Sequence, residues 1–526
     1  MFYILTPFWF IRETKAILFW IYLWQLKEYH IGRFIDHFRT EKGKQLLLNK
    51  LLILKFILLL FFILGFSLFG FGIKISPPSI FSSNIFLSFY FFEFFVRIPF
   101  LVLFLYIFEA VHASFNFFQK KIKKPVLTKK TVFLISIVLV LKVLFIVVLS
   151  LYIRDEFGYI NFIAATFYLL LFDIFTPLIV SAIVLFFQPF TVLARNQIIK
   201  KAKEKKEKFK NLIVVGITGS YGKTSTKEFL ATILSEKFKI LKTKEHQNSE
   251  VGISQCILKD LKPEHEIFIV EMGAYNRGGI KLLCDIVKPK IGILTGINEQ
   301  HMATFGSLGN IIKTKYELIE NLPENGTAFF NAKNKYCLEL YQKTRIKKKL
   351  YGENIQLAGL ENIEGAKAVA RELGMSEEEI GRALQRIANK FPGIQYKKGM
   401  NELNIIDATY SANPDGVIAH LEYLKAWSGK KVIIMPCLIE LGPASKEVHK
   451  RIGKKIGEIC DLSIITTKDK FRELKDTAVK NGMKEENILF LENSKEIFEK
   501  IKEFNVENDI ILLEGRLPKD LMKLIL

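Results

Sequence analysis

The sequence predicts a polytopic transmembrane α-helical domain followed by two α/β domains, a central domain of the P-loop ATPase type and a Rossmann-like C-terminal domain. Half of the 526 residues are hydrophobic, and 35 of the 47 phenylalanines lie before residue 191. Beyond that point apolar strands alternate with helical segments, which is typical of α/β domains. The predicted boundaries are 1–190 for the helical domain, 191–210 for a basic linker, 211–390 for the central domain and 391–526 for the C-terminal domain.

Four apolar runs are long enough to cross a bilayer, which takes about 20 helical residues. They lie at roughly 51–73, 84–108, 132–153 and 162–188. Residues 1–25 are ambiguous, because Arg12, Glu13 and Lys15 separate two shorter apolar stretches. This segment is either one bent span or an interfacial helix.

Positive charge alternates between the loops that join these spans. Segments 26–50 and 111–131 each carry six Lys or Arg, and 189–210 carries eight, whereas 74–83 and 154–161 carry one each. Basic loops stay in the cytoplasm, so the loops poor in Lys and Arg face outward and the chain beyond the last span is cytoplasmic. We expect a multi-pass protein of the cytoplasmic (inner) membrane. The net charge of +22 then reflects contact with the lipid bilayer, and a nucleic-acid partner is not predicted.

Four charged residues fall within the predicted spans, where a lone charge is costly. Glu93 and Arg97 are one helical turn apart and are expected to neutralise each other. Lys142 and Asp173 are expected to pair between helices. The alternative is that some of them form a functional site in the membrane.

Residues 211–230 read NLIVVGITGSYGKTSTKEFL, an apolar strand followed by a glycine-rich turn and a helix. This is the context of a phosphate-binding loop, in which backbone N–H groups and a helix N-terminus hold the anion. The strict G-x-x-x-x-G-K-[ST] spacing is not met, since Ile217 stands at the first glycine. Lys223 is expected at the β/γ-phosphates and Thr224 at Mg²⁺. The predicted cofactors are ATP and Mg²⁺, and the predicted nucleotide-binding residues of this loop are Gly219, Ser220, Gly222, Lys223, Thr224 and Ser225.

The loop T-G-S-x-G-K-T after an apolar strand resembles the phosphate loop of the Mur ligases. Further family motifs follow in order over residues 211–526. They are HQNSEVGISQCIL at 246–258, an E-x-G, T-x-I-x-x-x-H and x-x-K-x-E series within 267–320, IIDATYSANPDG at 405–416, IELG at 439–442, His449 and DIILLEGR at 509–516. The segment 405–416 is most similar to the family member that adds D-alanyl-D-alanine.

The resemblance implies an ATP-dependent amide ligase that acts through an acyl phosphate in peptidoglycan precursor assembly. Its partners would be ATP, an amine donor such as a D-Ala-D-Ala-like dipeptide, and a carboxylate acceptor, either a muramoyl peptide or a lipid-linked precursor. Two alternatives remain at this point. One is a membrane amide ligase for another carboxylate, such as polyglutamate or a lipid-linked stem peptide, and the other is a non-catalytic ATP-binding membrane scaffold.

The resemblance also assigns the remaining site residues. Glu271 ends an apolar strand and would bind Mg²⁺ with Thr224, although the residues alone also fit a surface glutamate. His301 matches the histidine at the second metal, where the alternative is a structural histidine. Lys315 matches a lysine that the family carbamylates, where the alternative is an ordinary exposed lysine. Lys223, His301 and Lys315 are the predicted catalytic residues, and the metal set is Thr224, Glu271, His301 and Lys315.

Two more residues complete the predicted nucleotide site, and several positions depart from the family pattern. Asn362 remains from the family's Asn-containing nucleotide segment, and Asp407 would bind ribose unless it only caps a loop. The departures are Gly296, Ile394, Ala408 and Ser411, which replace Asn, Arg, Asp and Asn. No segment before Asn211 resembles the family's substrate-binding first domain.

Overall fold

The structure is a computed structural model that describes residues 2–68, 85–119, 121–152, 158–244, 247–353, 355, 360–387, 395–399, 403–410, 412–503 and 508–526. The chain divides into two compact units, Met1–Val192 and Leu193–Leu526. Loop 74–83 and the first half of loop 154–161, to which the sequence assigns an outward orientation, lie outside the described residues.

All the regular elements in the described part of the first unit are helices. Its helices are α1 (Phe2–Leu26), α2 (Ile31–His37), α3 (Glu41–Leu47), α4 (Lys50–Leu68), α5 (Ile85–Phe118), α6 (Lys129–Tyr152) and α7 (Gly158–Phe186), and the unit boundary lies within α8 (Gln188–Glu207). Four helical stretches, Glu41–Ser67, Glu93–Phe118, Lys129–Tyr152 and Asn161–Glu207, are long and apolar enough to cross a membrane. Each of them overlaps one of the four apolar runs of the sequence.

Residues 2–26 form one continuous helix, although Pro7 lies inside it. This helix, α1, packs against α5, α6 and α7. Its side chains Leu5, Trp9 and Ile17 are fully buried. The segment that the sequence left ambiguous is therefore one helix of the bundle.

The sequence predicts two ion pairs within the spans, and the structure contains one of them. Glu93 and Arg97 do form an ion pair of 2.9 Å, as predicted. The expected pair between Lys142 and Asp173 is wrong. Lys142 Nζ donates to Thr14 Oγ1 at 2.5 Å on α1.

Asp173 instead belongs to a buried network of charges. Its carboxylate pairs with Arg12 and, at 2.7 Å, with Lys55 Nζ, and it accepts a hydrogen bond from Tyr106 Oη at 3.1 Å. Lys142 and Asp173 do not pair because α1 packs against both α6 and α7 and supplies polar partners to each. The network is held together inside the helical unit, where ionic groups need such partners.

The second unit begins with a six-stranded parallel sheet in the order β2-β3-β1-β4-β5-β6. The strands are β1 (Ile213–Thr218), β2 (Ile240–Lys242), β3 (Ile267–Glu271), β4 (Ile291–Leu294), β5 (Thr327–Asn331) and β6 (Lys347–Tyr351). The helices around it are α9 (Lys223–Leu234), α10 (Glu250–Asp260), α11 (Gly279–Val287), α12 (Met302–Phe305), α13 (Leu308–Glu320), α14 (Lys335–Lys343), α15 (Glu361–Glu372) and α16 (Glu377–Ile387). Strands β1, β3 and β4 are fully or almost fully buried, as expected of a parallel sheet covered on both faces.

A second six-stranded sheet follows in the order β11-β10-β9-β12-β8-β7, parallel except for β7, which is antiparallel to β8. Its strands are β7 (Gln395–Lys398), β8 (Asn404–Ala408), β9 (Lys431–Met435), β10 (Leu462–Ile465), β11 (Ile488–Phe490) and β12 (Ile510–Glu514). Its helices are α17 (Pro414–Leu424), α18 (Ser445–Ile459), α19 (Phe471–Lys480), α20 (Ser494–Lys502) and α21 (Lys519–Ile525). Both α/β domains of the sequence prediction are thus confirmed.

The strand order of the first sheet places the candidate site. Strand β1 pairs with both β3 and β4. The carboxyl ends of parallel strands meet at one edge of the sheet, where ligands bind. The phosphate loop after β1, Glu271 at the end of β3 and the segment 295–301 after β4 therefore share one edge.

Candidate functional site

The phosphate loop joins β1 to α9 and is shaped by two glycines. Gly222 precedes α9 with φ of 77°, in the left-handed region that favours glycine. A Cβ on Gly222 would collide with Asn362 Oδ1, and one on Gly219 would collide with Thr295 Oγ1. Ser220 N donates to Gly296 O at 2.7 Å and fixes the loop against the segment after β4. Because Gly219 and Gly222 have no side chains, the loop backbone can lie close to Thr295, Gly296 and Asn362.

Lys223 and its two successors open helix α9. Lys223 Nζ donates to the loop carbonyls of Gly219 at 2.8 Å and Ser220 at 3.3 Å. Burial lowers the pKa of Lys223, and the nearby Glu271 carboxylate opposes that effect. Thr224 and Ser225 are half-buried in the first turn. The predicted phosphate ligands are therefore gathered at one helix N-terminus.

Glu271 lies at the centre of a polar cluster. Its carboxylate accepts hydrogen bonds from Thr224 Oγ1 at 3.0 Å and Asn248 Nδ2 at 3.1 Å. Burial tends to raise the pKa of Glu271, but Lys223, Lys227 and the two hydrogen bonds outweigh it and lower the pKa overall. The carboxylate is consequently ionised at neutral pH.

Lys227 is a residue of this cluster that the sequence analysis missed. Its side chain is fully buried, and its Nζ lies 3.3 Å from Glu271 Oε2. Among the described residues, Nζ has no hydrogen-bond partner of good geometry. The available signal was spacing, since Lys227 follows Lys223 by four residues and so lies on the same face of α9.

The residues around Glu271 fit Mg²⁺ by their donor chemistry. Thr224 and Glu271 offer hard oxygen atoms 3.0 Å apart beside the phosphate loop, and Mg²⁺ prefers one or two carboxylates together with substrate phosphates. Within the described residues, no three His, Cys, Asp or Glu side chains converge on one point. An ion here would therefore depend on nucleotide oxygens for part of its coordination.

Lys315 lies on α13 and is 4% exposed. Burial and the positive charge of Lys223 lower its pKa from 10.5 to about 7. The structure therefore excludes the ordinary exposed lysine considered from the sequence. A substantial fraction of neutral amine at pH 7 is what reaction with CO₂ requires.

His301 lies in the segment after β4 and has an unusual backbone, with φ of 64°. Its Nδ1 is 2.7 Å from Glu440 Oε2, which belongs to the second α/β domain. Burial lowers the pKa of His301 despite Glu440, and the charges of Lys315 and Lys223 lower it further. The ring is thus within the electrostatic influence of both predicted catalytic lysines.

Asn362 and Asp407 lie in different surroundings. Asn362 Oδ1 accepts from Thr226 Oγ1 at 3.1 Å, next to the phosphate loop. Asp407, in β8, pairs with Lys397 Nζ at 2.6 Å and accepts from Thr409 N at 3.1 Å. Burial favours a raised pKa, but Lys397 and Thr409 lower the pKa of Asp407 overall. Asp407 thus forms the local turn contact considered as the alternative, and a ribose contact stays a prediction.

The two α/β domains contact each other through side chains beside the phosphate loop. Asn298 Nδ2 donates to Asn413 Oδ1 at 3.0 Å and Asp415 Oδ2 at 3.1 Å. Asn298 N also donates to Ser220 Oγ at 3.2 Å. Asn298 therefore links the phosphate loop to the start of α17, a link that sequence reasoning missed.

The departures from the family pattern fall into two groups. Ile394 and Ser411 lie outside the described residues. Gly296 leaves space for the Tyr221 ring, which a Cβ at this position would meet. Ala408 is buried in β8 at 1% exposure.

Comparison with known proteins places two family domains on the chain. Residues 217–383 match the Mur ligase middle domain, and residues 394–517 match the Mur ligase glutamate ligase domain. The UDP-N-acetylmuramoyl-tripeptide–D-alanyl-D-alanine ligase of Synechocystis sp. is 31% identical over 46% of this chain and 59% of its own length. The ligase of the same name from Escherichia coli K12 is 28% identical over 46% of this chain and 61% of its own length. The chain thus spans about three fifths of these relatives.

Solved structures give the same similarity. MurF ligase from Thermotoga maritima in complex with ADP superposes with a TM-score of 0.53 at 25% identity, covering 63% of this chain and 83% of that one. MurF from Acinetobacter baumannii gives a TM-score of 0.55 at 24% identity, covering 62% and 80%, and supports the fold.

Proposed function

Because the chain belongs to the Mur ligase family, we propose that it is an ATP-dependent amide ligase of peptidoglycan precursor assembly. The amine donor is a dipeptide like D-Ala-D-Ala, as in the name of the relatives. The observation that carries the proposal is the gathering of the phosphate loop and the ionised Glu271 at one sheet edge, together with a desolvated Lys315 that interacts electrostatically with Lys223.

The chemistry is a phosphoryl transfer followed by an acyl transfer. The acceptor carboxylate takes the γ-phosphoryl group, ADP leaves, the amine attacks the acyl carbon, and phosphate and a proton depart as the amide forms. Lys223 neutralises charge on the β- and γ-phosphates, and the loop N–H groups orient them. Mg²⁺, held by Thr224 and Glu271, supplies further charge neutralisation when bound. Positioning by these groups accounts for most of the rate enhancement.

Lys315 acts in its carbamylated form. The neutral amine attacks CO₂, a C–N bond forms, and one proton is released, so a neutral group becomes a negative one. Burial and, after it, repulsion from Lys223 lower the pKa of the free amine, and a negative group beside Lys223 replaces that repulsion with attraction. The carbamate oxygens are suited to a second Mg²⁺ beside His301.

The acceptor is delivered at the membrane. The matched family domains begin at residue 217, and the described residues of the preceding part contain four helical stretches apolar enough to span a bilayer. A lipid-linked acceptor would be confined to the same surface as the cytoplasmic catalytic domains, which raises its effective concentration. This favours a lipid-linked muramoyl peptide over a soluble one.

The test is a product assay in liposomes with the full chain. ATP-dependent phosphate release and amide formation are measured by mass spectrometry with a muramoyl tripeptide, its lipid-linked form, a lipid-linked stem peptide and polyglutamate, each with D-Ala-D-Ala or single amino acids. Lys223→Ala should abolish turnover, whereas Lys259→Ala, at an exposed lysine of the same domain, should not change it. Turnover retained in Lys223→Ala would reject the ligase. ATP binding without turnover on every acceptor would favour the scaffold.

A further inference from the structure

The contact between His301 and Glu440 joins two residues with strained backbones. Glu440 has φ of 63° and His301 has φ of 64°, a left-handed conformation that is unfavourable for a non-glycine residue. The two come from different α/β domains and lie 139 positions apart. Such outliers persist only where the surroundings fix them, and they occur most often at functional sites.

The loop that presents Glu440 is held on both sides. His449 Nε2 accepts from Leu438 N at 3.0 Å, and its Nδ1 donates to Ser445 O at 2.6 Å. On the other domain, Ala303 N donates to Glu440 O at 3.1 Å. The fully buried His449 thus has a structural role, and the bonds fix the backbone from which the Glu440 side chain, 8% exposed, reaches His301.

The hydrogen bond fixes the tautomer of His301. An ionised carboxylate only accepts hydrogen bonds, so His301 Nδ1 carries the proton and donates it to Glu440 Oε2. The other ring nitrogen, Nε2, then carries a lone pair. Histidines that bind metals almost always donate their second N–H to a carboxylate, a backbone carbonyl or water, which orients the ring and makes the ligating nitrogen more basic.

We propose that Glu440 is a positioning residue that orients His301 as a ligand of the second metal, so that this metal site is complete only when the second α/β domain is docked. The inference rests on the proposed function, because the metal belongs to that reaction. It assigns a catalytic consequence to the domain contact, since separation of the domains would leave Nε2 without a fixed direction.

The same interface contains a contact suited as a control. Arg451 Nη2 pairs with Glu299 Oε1 at 2.9 Å, again between the two α/β domains. The side chain of Arg451 is 46% exposed, so Arg451→Ala should weaken docking slightly without touching His301. If poorer docking alone weakened metal binding, the Mn²⁺ affinity would fall in both the Arg451 and the Glu440 variants. If the orientation of His301 is what matters, the affinity falls only in the Glu440 variants.

The experiment uses the full chain in liposomes with Mn²⁺ and a nonhydrolysable ATP analogue. Electron spin-echo spectroscopy detects the coupling of Mn²⁺ to an imidazole nitrogen, and a Mn²⁺ titration gives the affinity. Wild type and Arg451→Ala should show the coupling, His301→Ala should lose it, and Glu440→Ala and Glu440→Gln should show a Mn²⁺ Kd raised about 10–100-fold. Glu440→Asp should recover part of the affinity. The Glu440→Gln variant keeps the shape of the side chain, so it guards against misfolding of Glu440→Ala.

Unchanged Mn²⁺ coupling and affinity in both Glu440→Ala and Glu440→Gln would overturn the proposal, as would an equal loss in Arg451→Ala. The spectroscopic result does not require turnover. If wild type shows the imidazole coupling but forms no amide on any acceptor, the proposed function fails while the role of Glu440 stands.

Discussion

Replacement of Lys315 by methionine should abolish ligation and at the same time stabilise the folded protein. Lys315 is 4% exposed, and its pKa falls from 10.5 to about 7. At about 1.4 kcal/mol per pKa unit, keeping this amine buried lowers the free energy of unfolding by about 3–5 kcal/mol at pH 7. Methionine has a similar unbranched shape and no charge, so Lys315→Met removes this cost. For a domain of this size, such a change corresponds to a rise on the order of 10 °C in the thermal midpoint.

The pH dependence gives the sign of the effect. Between pH 7 and 10.5 the unfolded chain binds a proton at Lys315 that the folded chain does not, so wild-type stability rises with pH through this window. The advantage of Lys315→Met should therefore be full below about pH 7 and shrink as the pH approaches 10.5.

Calorimetry in CO₂-depleted buffer measures this difference, because carbamylation would itself relieve the burial cost. The control is Lys313→Met, at an exposed lysine on the same helix, which should leave the midpoint nearly unchanged. The conclusion that the Lys315 amine is desolvated would be refuted in either of two cases. One is a thermal midpoint of Lys315→Met at or below that of wild type at pH 7, and the other is a difference in midpoint that does not shrink as the pH rises.

Three further outcomes are expected. Lys315→Ala should lose most ligase activity while remaining folded, and acetate or formate should restore part of it, because a small carboxylate fills the vacated volume; a folded variant that neither anion rescues would argue against the carbamate. Single cysteines introduced at position 79 should be labelled from outside intact cells, and those at position 120 should not. The background should be low, because all five native cysteines are buried. The reverse labelling pattern would overturn the predicted topology. Gly296→Asn should weaken binding of an ATP analogue about tenfold by displacing the Tyr221 ring, and Tyr221→Ala in that variant should recover part of the affinity; wild-type binding by Gly296→Asn alone would show that the two positions are independent.

Features with a local cause were predictable from the sequence. The phosphate loop follows from a strand, glycines and a helix start that are adjacent in the chain, and Gly222 indeed has a positive φ of 77°. The helical stretches in the first unit follow from the length of apolar runs. The shared sheet edge of Lys223 and Glu271 follows from the rule that parallel strands place their carboxyl ends together.

Contacts between distant segments were not predictable in the same way. Asp173 binds Arg12 and Lys55 rather than Lys142, because helix α1 packs within the bundle and the sequence did not show where α1 lies. Glu440 reaches His301 across 139 positions. The motif IELG drew attention to that segment without giving the carboxylate a role, since the role comes from the docking of two domains.

A departure from a family pattern has to be judged together with the residues that surround it. Taken alone, Gly296 looks like the loss of a polar contact beside the nucleotide. In the structure, the space left by the missing side chain is taken by Tyr221, whose hydroxyl accepts from Asn334 Nδ2 at 3.2 Å. Asn334 Nδ2 also donates to Ile297 O at 3.0 Å, so a side chain from the phosphate loop now ties the same segment together. The segment around Gly296 is therefore fixed by Tyr221 and Asn334, and Gly296 by itself does not count as evidence for an inactive scaffold.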